Sequence, residues 1–289
     1  MLTVLLGLGT AIFFGAADFL GGLAARRISA MRATALSAIA GLVVLSLALP
    51  VLGGTWSPGA LGWGVIAGLV AATTVALLYA SLAIGPMSIL APLTAVIAAL
   101  VPATYGLAVG ERLGLAGYGG VAVALVAVVL VGLVPHREAV RPRILGLVLA
   151  ALAGVSMGSG IVVLDNTPPD SGIVPLVVGR AVAVAVTLGI VGAAVLAPRR
   201  AVADPDPART GWRGGLRFAL VGGTLAATAD VFMITGVRVG EVTIIGVLAA
   251  LCSAVTIILA ATLLRERLAP PQWVGLALAL GAVALFAVD

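Results

Sequence analysis

The sequence contains no lysine and only one cysteine, Cys252, and one histidine, His136. Aromatic residues make up 4% and charged residues 9% of its 289 positions. Each scarcity excludes something. A single cysteine excludes an intrachain disulfide. A single histidine leaves serine chemistry without an obvious base. A soluble domain carries about 25% charged residues, so 9% charged with 62% hydrophobic and a mean hydropathy of +1.26 excludes a water-soluble fold. The chain reads as a polytopic membrane protein. Its high isoelectric point does not indicate nucleic acid, because all of the sixteen arginines but Arg180 lie in or beside short loops between apolar spans rather than on one soluble face. The N-terminus has no basic stretch before its apolar run, so that run is expected to stay as a span rather than be cleaved.

A span needs about 20 apolar residues. Ten such runs are present, at 2–24, 31–52, 59–82, 86–109, 115–134, 144–164, 172–196, 215–237, 242–264 and 271–288. They lack the alternation of barrel strands, so the predicted fold class is an all-α integral membrane protein of ten transmembrane helices. The segment from Gly85 matches the segment from Gly240 without gaps: Ser88 falls on Thr243, Glu111 on Glu266, Arg112 on Arg267 and Tyr118 on Trp273. The shared Glu-Arg-Leu at one helix junction argues for duplication. The predicted halves are 1–135 and 143–289, joined by a cytoplasmic linker at 136–142. Five spans per half reverse direction, which gives two inverted repeats with a site near the midplane between them. Pro92 and Pro102 are expected to kink helix four.

Asp18 and Asp230 interrupt apolar spans. A carboxylate at the centre of a span costs roughly 2.5–3.5 kcal/mol on insertion scales, so such residues usually face the bundle interior or a wet cavity. At about 100° per residue, Gly7, Ala11, Gly15 and Gly22 share the face of Asp18; Gly223, Ala226 and Ala227 share that of Asp230. Each acid lies eight residues before an arginine, Arg26 or Arg238. At 1.5 Å per residue this places both near the midplane, about 6 Å apart in depth. A carboxylate there can exchange a proton or attract a cation, and Arg180 is a candidate partner. Tyr79, Ser156, Ser159, Ser253 and Thr256 are candidate cavity hydroxyls, although each can also bond its own helix backbone. Arg32 and Arg180 fall at equivalent repeat positions, and Glu111 and Glu266 sit beside arginines at helix junctions; all four read as structural charges.

Phe14-Gly15 in helix one, the run "YASLAIGPMSILAPLTAVIAALVPATYGLAVGERL" from Tyr79 to Leu113, and "RERL" from Arg265 to Leu268 resemble the ten-helix EamA-type members of the drug/metabolite transporter superfamily. The resemblance covers nearly the whole chain. It implies export or uptake of small metabolites through a cavity lined by helices 1, 3, 4, 6, 8 and 9, with Phe14 beside Asp18. Asp18 departs from the family, whose members often have a neutral polar residue nearby. The related four-helix drug exporters carry an essential first-helix acid.

The expected function is therefore secondary transport of a small cationic or zwitterionic metabolite across the cytoplasmic membrane by alternating access, as proton-coupled export. The expected partners are a small-molecule substrate, protons and the bilayer, without nucleic acid, in a monomer or homodimer. No cofactor or metal site is expected. The alternatives are a channel or facilitator for small polar solutes and an intramembrane aspartyl protease using Asp18 and Asp230. The contexts "GAAD" and "ATAD" lack the glycine-containing signature of such proteases. "GVSMG" from Gly154 to Gly158 matches a serine-nucleophile pattern only weakly, in a helix rich in glycine and serine.

Thirteen arginines lie on one side of the predicted topology and two, Arg112 and Arg238, on the other. The positive-inside rule puts the first side, with the 198–217 loop, in the cytoplasm and both termini outside, opposite to the habit of many relatives. A reporter active only in the cytoplasm should stay silent when fused to the C-terminus; activity there would reverse the assignment.

Overall fold

A computed structural model describes residues 1–28, 30–84, 87–132, 144–196, 213–264 and 269–288. The described residues form helices and no strand. In chain order they are α1 (Leu2–Arg27), α2 (Ala30–Leu52), α3 (Pro58–Ile84), α4 (Met87–Ala108), α5 (Leu115–Gly132), α6 (Ile144–Asp165), α7 (Val174–Leu196), α8 (Arg213–Val239), α9 (Val242–Ala250), α10 (Cys252–Leu263) and α11 (Pro270–Ala287). A short 3₁₀ turn, Pro169–Ser171, lies between α6 and α7. Five of the apolar stretches, including Val242–Leu263 taken as one, are long enough to cross a membrane, and five shorter apolar helices accompany them. Uninterrupted helix is what lipid demands, because each backbone polar group must find its partner inside the segment.

The ninth expected span is one apolar stretch, Val242–Leu263, with a tightened turn at Leu251. Leu251 separates α9 from α10, with Leu251 N–H bonding Leu248 O at 3.0 Å and Ala254 N–H bonding Leu251 O at 2.9 Å. These i→i+3 bonds tighten one turn without leaving the backbone unpaired. By contrast α4 runs through both Pro92 and Pro102 as one helix, and Pro102 is fully buried.

Glycines set the packing. A Cβ on Gly15 of α1 would meet Cys252 O at 2.5 Å and Val255 Cβ at 2.6 Å of α10. Gly154 and Gly158 of α6 bear in the same way on Thr94 O and Ala98 O of α4, at 2.7 and 2.6 Å. Gly68 of α3 bears on Gly179 O of α7 at 2.6 Å, and Gly223 of α8 on the Ser37 carbonyl of α2. A helix without a side chain there can bring its partner's carbonyl ridge into contact, and dispersion does the work that the hydrophobic effect cannot do in lipid. Further pairs are α1 with α8, α3 with α6 and α5 with α11. Gly22, expected on a packed face, has no neighbour within 4 Å.

Glu111, from the α4–α5 connection, accepts from the Val242 N–H at 2.6 Å and the Thr243 N–H at 3.1 Å. These are two of the donors that a helix start leaves orphaned, and the carboxylate sits at the positive end of the α9 dipole. Glu266, in 265–268, lies outside the described residues, as does His136.

At one end of the bundle the loops are joined. Gly172 and Gly53 have φ of 51° and 71°, values that suit glycine, and a Cβ on Gly172 would strike the Gly53 backbone. Thr55 N–H bonds Asp170 O at 3.0 Å, and its hydroxyl donates to the Asp170 carboxylate at 2.6 Å.

Gly68→Ala should destabilise the folded protein by about 1–3 kcal/mol, the usual cost of overpacking, because the new methyl meets the Gly179 carbonyl and the Val182 Cβ rather than the far end of a flexible side chain. Gly62, on the same helix, has nothing within 4 Å, so Gly62→Ala is the matched control. Thermal melting in detergent, read by size exclusion, compares them; equal melting of both variants would refute the packing account.

Candidate functional site

The helices enclose a cavity of about 350 Å³. Its wall is mostly alanine, glycine and branched aliphatic side chains from α3, α6, α7 and α9, among them Ala67, Gly68, Val70, Ile161 and Leu176. Polar groups are few. Asp18 and Phe14 come from α1, Thr74 from α3, Arg180 from α7, Asp230 from α8 and Cys252 from the start of α10.

Asp18 is exposed to this cavity, and among the described residues it makes no hydrogen bond or ion pair. Its position follows from the glycine one turn earlier: Gly15 lets α1 lie against the Cys252 carbonyl, and the Thr256 hydroxyl donates to Gly15 O at 3.0 Å. That contact fixes the rotation of α1 and turns Asp18 toward the open space.

Asp230 is held differently. Arg180 donates to its Oδ2 through Nε at 3.1 Å and Nη2 at 2.5 Å. The pair keeps 21% of the arginine and 13% of the aspartate side-chain surface exposed. Gly41, beside Gly223, leaves room for the guanidinium; a Cβ there would come within 3.5 Å of Arg180 Nε. Sequence analysis named Arg180 both as a structural charge and as a candidate partner for the acids, and it does pair with Asp230; α7 was not among the helices expected at the cavity. In the structure α7 supplies part of the wall and Arg180 reaches into it. The visible signal was an arginine in the interior of an apolar span.

The two acids are also offset along the α1–α8 pair. Helices α1 and α8 run antiparallel, with Gly215 against Ile28, Gly222 beside Ala17, Gly9 against Phe232 and Gly240 against Thr3. This register sets Asp18 level with about Thr224, six residues from Asp230, or about 9 Å along the helix axis.

The predicted hydroxyls mostly turn away. Ser159 donates to Ser156 O at 2.8 Å and Ser253 to Ala250 O at 3.2 Å, and neither lines the cavity. Their levels are occupied instead by Met157, Gly160 and Cys252. A serine hydroxyl satisfied by its own helix has no need of a wet wall. Ser156 accepts from the Thr74 hydroxyl at 2.9 Å and donates to Val70 O at 3.2 Å, joining α6 to α3 from mid-helix rather than from a strand–helix elbow. The side chain of Tyr79 lies outside the described set. Arg32, on α2, is half-buried and does not line the cavity. Among the described residues no three of His, Cys, Asp and Glu cluster as metal ligands.

A membrane bundle with a central cavity carrying few charges is a transporter's architecture, and the comparisons bear on it directly. A model of the EamA-like transporter family matches residues 144–288. The chain belongs to the EamA-like transporter family. This places it among multi-pass membrane transporters of small solutes, which its apolar helices are able to span. No curated protein matches the chain. A solved structure titled only "Crystal structure of protein" is similar over 99% of this chain and 98% of its own, at 20% identity and a TM-score of 0.74. That likeness shows a shared fold for the EamA-like chain.

Removing one partner of a buried ion pair strands the other charge, at about 3–5 kcal/mol in a closed core. The Arg180–Asp230 pair borders a cavity, so the low end of that range is expected. Asp230→Asn should therefore lower thermal stability clearly, whereas Asp18→Asn, which breaks no bond, should leave it unchanged or raise it. Melting curves of the two variants side by side test this, and equal losses would contradict the assignment of Asp230 to an ion pair.

Proposed function

We propose that this protein is a secondary transporter that moves a small cationic or zwitterionic metabolite by alternating access, coupled to protons, in the export direction. The observation that carries the reading is Asp18: a carboxylate without a hydrogen-bond or ion-pair partner among the described residues, on the wall of a mostly apolar cavity. An acid in that setting can hold either a proton or a cation, and exclusion of one by the other is the elementary step of antiport. The export direction rests on the resemblance to small exporters with a first-helix acid.

Alternating access needs two bundles that can rock about a central site, and we propose the halves 1–135 and 143–289, joined through 136–142, as those bundles. The support is the pattern of helix pairs. Exchanging α1 with α6, α2 with α7, α3 with α8, α4 with α9–α10 and α5 with α11 converts the most extensive pairings into one another or into themselves, while α1 on α2 has no counterpart of like extent in α6 on α7 among the pairings of the described residues. Thus α1 on α8 becomes α6 on α3, α2 on α8 becomes α7 on α3, and α1 on α10 becomes α6 on α4. The glycine contacts follow: Gly15 on a carbonyl of α10 corresponds to Gly154 and Gly158 on carbonyls of α4.

The deciding experiment uses the purified protein in liposomes with an imposed pH gradient. Asp18→Asn should insert and purify normally while proton-driven flux falls at least tenfold. Undiminished proton-driven flux in Asp18→Asn would remove the carboxylate from the mechanism. Flux that neither saturates nor shows counter-transport would favour a channel.

A further inference from the structure

We propose that Arg180 is the anion-binding half of the cavity, oriented for that task by Asp230, and that with Asp18 as the cation-binding half it selects an apolar-bodied zwitterion. The inference rests on the transport reading above and narrows its substrate class.

The geometry of the ion pair carries it. Arg180 uses Nε and Nη2, and both bonds converge on a single oxygen, Oδ2 of Asp230. Among the described residues its other terminal nitrogen has no hydrogen-bond partner, yet that atom is not enclosed, since Arg238 Nε is the buried side-chain nitrogen left without a partner. The Arg180 side chain retains 21% of its surface, and Arg180 is part of the cavity lining. A guanidinium presents donors along more than one edge, each matching the spacing of a carboxylate. Asp230 holds one edge and so fixes the plane of the group; another edge stays available to a ligand. Asp230 is thus a positioning residue, less exposed than its partner at 13%.

The pairing of individual groups, rather than the net charge, then narrows the ligand: a zwitterion leaves the net charge unchanged but gives both Asp18 and the open edge of Arg180 a partner. With both acids ionised the cavity holds two negative groups and one positive. A simple anion would add a second uncompensated negative charge to a low-dielectric space, which is costly. A simple cation would satisfy Asp18 and leave the open edge of Arg180 unused. A molecule carrying both charges satisfies the two groups together. Its remaining body would meet Val70, Ile161 and Leu176, an aliphatic wall. The cavity volume of about 350 Å³ falls at the lower end of the range for small-ligand sites.

Four probes that share one aliphatic body and differ only in their charged ends test this: leucine, leucine methyl ester, 3-methylbutylamine and 4-methylpentanoate. Their affinities for the detergent-solubilised protein are measured by calorimetry, on wild type, on Asp18→Asn and on the doubly neutral Arg180→Gln/Asp230→Asn. Wild type should bind leucine at least tenfold more tightly than the ester, the amine or the acid. In Arg180→Gln/Asp230→Asn the ratio of leucine to amine affinity should fall to about one. In Asp18→Asn the ratio of leucine to acid affinity should collapse instead. A merely structural role for Arg180 would lower all affinities together and preserve the ratios, which would overturn the proposal. Wild-type protein that binds none of the four, or prefers the amine, would overturn it as well. In either case proton-driven flux lost on Asp18→Asn would still leave the transport reading standing; absence of any flux in wild type would instead remove that reading.

Discussion

Close approach of backbone to backbone is the constraint on which the rest of this structure depends. Lipid is as apolar as leucine, so burying aliphatic side chains between helices gains little there, and association rests on dispersion and shape. The chain answers with glycine at the crossings. Gly15, Gly68, Gly154, Gly158 and Gly223 each set a helix directly on a neighbour's carbonyl. These contacts are short-range and directional, so they fix rotation as well as distance. The rotation of α1 is what brings Asp18 to the cavity, and the seating of α8 on α2 is what leaves room beside Gly41 for Arg180. Charge placement is a consequence of glycine placement.

The same packing explains why one acid is paired and the other open. Asp230 lies on α8, which touches α1, α2 and α6. An ionised carboxylate so enclosed requires compensation, and Arg180 supplies it. Asp18 needs no built-in partner because its side chain opens to the cavity, where water, a proton or a cation can meet it. Two aspartates that look equivalent in their sequence contexts therefore occupy unlike environments, and unlike environments permit unlike roles.

Much of this was legible in the chain. The spans were, because long apolar runs follow directly from bilayer thickness. The acids were, because a charge within such a run has few explanations. Other features depend on contacts that no single segment records. Counting from Arg26 and Arg238 measured each acid against its own helix end, whereas their relative depth is set by the register of α1 on α8. The serines were ambiguous in principle, since a hydroxyl in a helix can bond its own backbone or face a cavity, and Ser159 and Ser253 do the first. The tightened turn at Leu251 has neither proline nor glycine at its centre, so sequence offers no breaker there. Arg180 was visible as a candidate partner for an acid, and it does pair with Asp230; the cavity wall it borders is known only from packing.

The loops at one end of the bundle bear on how the helices can move. There the α6–α7 turn meets the α2–α3 loop through Gly172 on Gly53 and Thr55 on Asp170, and meets α8 through Arg238, which donates to the Ser171 hydroxyl at 3.0 Å. Each such bond contributes only about 1 kcal/mol net. The helices beneath are seated by glycine–carbonyl contacts that cannot slide without separating. For the transport cycle proposed above, motion at this end is then cheapest as release of the loop contacts with the helix pairs kept intact. That is rigid-body rocking rather than helix deformation. Arg238 fits such an arrangement: among the described residues its Nε is buried without a hydrogen-bond partner, so this end holds one unsatisfied donor that exposure to water would relieve.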